Sequence, residues 1–211
     1  MRLAPQLRRV LAEAPLVEVA GPFHRFVQLQ YVLARLRAGG SPGLLDTIGS
    51  RLGGGRFNSR GRFDVLYLAV EPATALAEAE SILLGSGVGR RSRLPSPYVH
   101  LGVEGQVGRV LDLTEDRVLE SLGTTRAELA APWRGTQARG REAATQVLGR
   151  LARGTRRIEG VCYWSTKNSP GGRCLAVFPD RLVPLSALVV VDDSRQLPQE
   201  RLPGPTRQRN G

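Results

Sequence analysis

The segment Gly53-Gly54-Gly55-Arg56-Phe57-Asn58-Ser59-Arg60-Gly61 runs into Val65-Leu66-Tyr67-Leu68-Ala69 and then Thr74-Ala75-Leu76-Ala77-Glu78, and no other stretch constrains the chain as tightly. It dictates a loop, a buried strand over 64–70 and a helix in direct succession. Glu71-Pro72 opens that helix, which extends through about Leu84, with proline near the favoured first position. Three consecutive glycines carry no Cβ, so the backbone can come close to a bulky ligand. Arg56 lies inside this permissive turn, and its planar fork suits paired phosphate oxygens. From the loop alone Arg56 is equally an exposed loop residue or an anion ligand.

At 211 residues and 22.9 kDa the chain is near the upper size for one hydrophobic core. We expect one domain over 1–193, with an N-terminal helical segment in 1–20, and a flexible tail over 194–211, which is rich in Pro, Gln, Arg and Gly. Residues 5–14 and 141–153 carry the helical period, as does 31–37, which Gly39-Gly40-Ser41-Pro42-Gly43 breaks. Shorter helices fit 114–122, with Thr114 as N-cap, and 124–131, before Pro132-Trp133-Arg134-Gly135 interrupts. Strands fit 23–30, 158–164, 173–178 and 185–191, while 98–103 and 107–113 read as a hairpin turning at Glu104-Gly105-Gln106. Strands outnumber long helices without alternating with them, which predicts an α+β fold with a mainly antiparallel sheet.

No run of about 18 apolar residues exists, and the first residues lead into an arginine-bearing amphipathic stretch, so the expected location is the cytoplasm. Cys162 and Cys174 fit neither a CxxC redox pair nor a zinc cluster; they read as two buried structural thiols, and no metal site is expected. A net charge of +11 raises a competing reading, a basic nucleic-acid-binding module without enzymatic activity. Lys167 is the sole lysine among 30 basic residues, and the arginines are dispersed rather than interleaved with aromatics as in a stacking platform. A P-loop, a helix-turn-helix and a zinc finger are all missing from the sequence.

Two later blocks, Gly160-Val161-Cys162-Tyr163-Trp164-Ser165 and Pro170-Gly171-Gly172-Arg173-Cys174-Leu175-Ala176-Val177-Phe178, follow the glycine loop, strand and helix in order. Together these blocks resemble the RES domain, found in bacterial toxins that consume NAD+ and are restrained by an Xre-family antitoxin. The resemblance implies an ADP-ribosyltransferase-like split β-core with surrounding helices, and NAD+ as substrate rather than cofactor. It implies cleavage of the nicotinamide–ribose bond, by an NAD+ glycohydrolase, a phosphorylase or an ADP-ribosyltransferase; the acceptor stays open.

The resemblance also distributes roles. Arg56 would hold the pyrophosphate or ribose, and the Tyr67 ring would face the nicotinamide or its ribose. On the helix, Ala75, Leu76, Ala79, Ile82 and Leu83 form one apolar arc bordered by Glu78 and Glu80, and periodicity does not choose between the two carboxylates. The family's Ala-Leu-Ala-Glu ending falls on Glu78, which would stabilise an oxocarbenium-like centre as the bond breaks. Ser165 would bind substrate or orient Glu78, with Asn58 and Tyr163 in the pocket wall. Phe57 stands where the family often has Trp or Tyr, and its expected role is packing.

Overall fold

The computed structural model describes residues 1–38, 43–85, 97–168, 171–191 and 200–203. Strands are β1 (Val17–Ala20), β2 (Phe23–Gln28), β3 (Leu66–Ala69), β4 (Tyr98–Asp112), β5 (Gly160–Trp164), β6 (Arg173–Val177), β7 (Ala187–Val191) and β8 (Arg201–Leu202). Helices are α1 (Ala4–Glu13), α2 (Leu29–Ala38), α3 (Ile48–Gly53), α4 (Pro72–Gly85), α5 (Asp116–Leu122), α6 (Arg126–Ala130), α7 (Trp133–Ala138) and α8 (Ala144–Gly154). The strands form one sheet in the order β2-β3-β6-β5-β4-β7-β8, with β1 also on β4 and with β2 returning to pair with β4. The ladder from β2 through β3, β6, β5 and β4 therefore closes on itself. Among the described ladders only β4–β5 is parallel, so the mainly antiparallel α+β expectation holds.

Alternation along the strands divides the core into two layers. Leu66, Leu68, Cys162, Leu175 and Val177 pack with Phe23, Leu101 and Val110. Their neighbours Val65, Ala69, Val161, Tyr163, Cys174 and Ala176 pack against helical residues such as Leu7, Leu122 and Leu148. Strands β3, β5 and β6 are buried on both faces, which accounts for their continuous apolar runs. Both cysteines are buried and free, as expected of structural thiols, and burial pushes the Cys162 thiol up to about 12.

Several local expectations are corrected. The supposed hairpin at 98–113 is the single strand β4: Glu104, Gly105 and Gln106 pair with Val189, Leu188 and Ala187. Gly105 has φ of 135°, and a Cβ there would overlap the Ala187 carbonyl oxygen. The glycine lets β4 bend between partners, β2 over its first half and β1 and β5 over its second, instead of reversing it. Gly105→Ala is expected to lower unfolding free energy by about 1–3 kcal/mol, read in urea as a lower midpoint at unchanged m.

The segment 1–20 is helical only through Glu13; Val17–Ala20 is strand, paired to β4. Thr114 does not cap α5, because its hydroxyl donates to Asp112 Oδ1 (2.6 Å), and Glu115 takes the N-cap position. Trp133, Arg134 and Gly135 begin α7 rather than interrupting a helix. Leu76 is 45 % exposed, so the apolar arc of α4 rests on Ala75 and Ala79 among its described side chains. Within the expected tail, Arg201–Leu202 pairs with β7, and the Glu200 carboxylate accepts the Leu44 and Leu45 amides. The breaker residues 39–42, the Ile82 and Leu83 side chains and the rest of the tail from 194 lie outside the described residues.

Candidate active site

A cavity of about 580 Å³ opens where α4 packs against β2 and β3, with the glycine loop and the start of α7 completing its walls. That volume lies within the range that takes small ligands and cofactors, roughly 300–1,000 Å³. Arg56, Tyr67, Glu78 and Tyr163 line it together. Arg25, Lys167 and Arg134 line it as well, so among the described lining residues one carboxylate faces an excess of cationic side chains. Such a wall favours an anionic ligand.

The loop is shaped from behind. Asn58 is completely buried, and its amide nitrogen donates to the carbonyls of Ser50 (2.8 Å) and Phe63 (3.0 Å). Its Oδ1 accepts the Tyr67 hydroxyl (2.9 Å), which in turn accepts the Phe57 amide (2.9 Å). Buried Gln146 donates from Nε2 to the Gly55 carbonyl at 3.0 Å. A Cβ on Gly55 would collide with the Tyr67 hydroxyl and the Asn58 side chain. The glycine thus admits the protein's own tyrosine beneath the loop. Asn58, expected in the pocket wall, is corrected to a support of the Arg56 loop, because its amide is committed to the loop backbone and Tyr67.

Tyr67 presents its ring to the cavity while its hydroxyl stays in this network. Burial pushes its phenol above the ordinary tyrosine range, and the same cause acts on Tyr163, so both rings stay neutral at physiological pH. Phe57 packs as expected, fully buried and edge-on to Tyr163 with ring centroids 4.8 Å apart.

Glu78 and Glu80 are separated by the tertiary structure: Glu80 is exposed, whereas Glu78 faces the cavity, half-buried. The Ser165 hydroxyl donates to Glu78 Oε1 at 2.7 Å and accepts the amides of Lys167 (3.0 Å) and Asn168 (3.1 Å). Ser165 is 5 % exposed, and of the two roles expected of it the geometry displays the orienting one. Arg56 Nη1 donates to the Leu129 carbonyl (2.5 Å) and Nη2 to Thr166 Oγ1 (3.0 Å). These bonds hold the guanidinium over the cavity before any ligand arrives.

Arg25 escaped the sequence reading. Its Nη2 donates to the Asp46 carbonyl at 2.8 Å, while Nη1 is sealed from solvent and has no hydrogen-bond partner among the described residues. Burial lowers its pKa to about 10, which leaves it cationic at neutral pH. The available signal was period two: Phe23 and Val27 are buried on β2, and Arg25 shares their register. Trp133, Arg134 and Lys167 at the cavity had no comparable local mark. His24, also on the wall, stacks on His100 with Nδ1 and Nε2 3.1 Å apart; burial, then His100, lowers its pKa.

This α+β architecture brings Arg56 and Glu78 to one cavity, with Ser165 bonded to the glutamate. The chain is similar to one in the crystal structure of the M. tuberculosis MbcT-MbcA toxin-antitoxin complex, with a TM-score of 0.62 at 20 % identity over 89 % of this chain and 90 % of that one. The RES domain model matches residues 23–200, and the chain belongs to the RES domain family. No curated protein sequence matches it. No helix among the described residues is long and apolar enough to cross a membrane.

Proposed function

We propose that this protein is the toxin of a toxin–antitoxin pair and acts by breaking the bond between nicotinamide and ribose in NAD+, in the cytoplasm, until an Xre-family antitoxin restrains it. The observation that carries this reading is the Ser165-held carboxylate of Glu78 in a cavity that Arg56 and Arg25 also line. Membership of the RES family and the fold shared with a toxin–antitoxin complex support the same reading.

The chemistry follows from the groups present. As the C1′–N bond breaks, its electron pair neutralises the nicotinamide ring and positive charge gathers on the ribose. A fixed carboxylate stabilises that charge more in the transition state than in the substrate. Arg56 holds the phosphates by charge-assisted bonds, the buried cation of Arg25 adds to the field that attracts them, and the neutral Tyr67 and Tyr163 rings offer flat walls without opposing the departing charge. An acceptor oxygen then bonds to C1′ as nicotinamide leaves with the electron pair, and gives up its proton.

Purified protein incubated with NAD+, with and without inorganic phosphate, tests the proposal. Nicotinamide with free ADP-ribose identifies water as acceptor, a phosphorylated ADP-ribose appearing only with phosphate identifies phosphate, and an added ADP-ribose mass on protein identifies a side chain. Intact NAD+ under all conditions, from a protein with a cooperative unfolding transition, overturns the reading.

A further inference from the structure

We infer that Thr166 is a positioning residue that fixes Arg56 relative to Glu78, an inference that rests on the function proposed above. Residues 165–168 form a turn after β5, and this one turn touches both charged groups. Ser165 Oγ donates to Glu78 Oε1, while the next residue, Thr166, accepts Arg56 Nη2 on its Oγ1 at 3.0 Å. A single peptide link therefore separates the anchor of the carboxylate from the anchor of the guanidinium.

The turn is itself pinned to α4, the helix that carries Glu78. Asn168 Nδ2 donates to Thr74 Oγ1 at 2.8 Å, and Thr74 lies four residues before Glu78, on the same face of the helix. Thr74 Oγ1 donates onward to Glu71 Oε2 (2.8 Å), and the Ser165 amide donates to the Gly172 carbonyl (2.7 Å). Fixed at Thr74, at Glu78 and at Gly172, the turn has little freedom left, and Thr166 transmits that rigidity to Arg56. The other Arg56 tethers, the Leu129 carbonyl on α6 and the Ala131 carbonyl just after it (3.5 Å), bear no direct bond to Glu78. Among the described Arg56 partners, Thr166 is thus the one registered against the carboxylate. Thr166 is half-buried, so its hydroxyl can be removed with small effect on the core.

Thr166→Val keeps the shape and removes the acceptor; Thr166→Ser restores it. The first readout needs no substrate: the rate at which phenylglyoxal modifies Arg56, followed by peptide mass spectrometry. Thr166→Val is expected to speed this several-fold, and Thr166→Ser to return it to the wild-type rate. The second readout is kinetic. KM for NAD+ is expected to rise about tenfold in Thr166→Val with kcat changed by less than about threefold, as for lost orientation of a binding group. In an Arg56→Ala background the same change is expected to add nothing. Unchanged Arg56 reactivity in Thr166→Val overturns the inference, as does an equal penalty with and without Arg56. If wild type consumes no NAD+, the proposed function falls, and the arginine-reactivity arm still decides the role of Thr166.

Discussion

Glu78→Gln is expected to cut NAD+ cleavage by about 10³-fold while leaving the protein folded. The amide is isosteric and its oxygen still accepts the Ser165 hydroxyl, so the packing between α4 and the turn after β5 is retained. What disappears is the negative charge beside the developing cation. Removal of one preorganised electrostatic group typically costs about 10²–10³ in turnover, and loss of a full charge belongs at the upper end. Glu80→Gln is the matched control, since Glu80 is exposed, and it should keep the wild-type rate. Cells expressing Glu78→Gln without antitoxin should retain their NAD+ and grow. Wild-type turnover in the variant would remove the carboxylate from the mechanism.

The second large effect is expected at Arg56. Arg56→Ala should lower kcat/KM by about 10²–10³, chiefly through KM, because hydrogen bonds to charged groups are worth about 1.5–3 kcal/mol each and every 1.36 kcal/mol is tenfold. Arg56→Lys retains the charge without the fork. An ammonium cannot bond the Leu129 carbonyl and Thr166 together while also gripping phosphate, so less than about a tenth of the loss should be recovered. Steady-state kinetics with NAD+, backed by calorimetric titration of ADP-ribose, measures this. An unchanged KM in Arg56→Ala would leave the residue only the task of tying the loop to 129–131.

Where information was local, the sequence was readable. The glycine loop, β3 and α4 follow from neighbouring residues, as do the late strands β5, β6 and β7, because glycine, proline and apolar period act within a few positions. Local reasoning failed where a residue answers to something distant. Gly105 looked like a turn, yet its missing Cβ makes room for the Ala187 carbonyl of another strand. Thr114 looked like a cap, yet Asp112 takes its hydroxyl. Leu76 looked like core, but it is 45 % exposed.

The site divides in the same way. Arg56, Tyr67 and Glu78 were singled out from their blocks, and the structure gathers them with Tyr163 at one cavity. Asn58 was found too, with the wrong task, since only the fold reveals that its amide is enclosed by the loop and Tyr67. Arg25 was passed over although it shares the register of buried Phe23 and Val27, because that period marks an inward face and not the cavity that forms in front of it.

By itself the sequence determined the local elements, the family to which its ordered blocks belong and the residue types available for chemistry. Tertiary structure alone placed a serine 87 positions away against Glu78 while leaving Glu80 exposed, and set Arg56 against a threonine 110 positions away. Periodicity and turn chemistry are set by nearest neighbours, whereas a hydrogen bond between distant segments exists only after burial of the two core layers has brought them together.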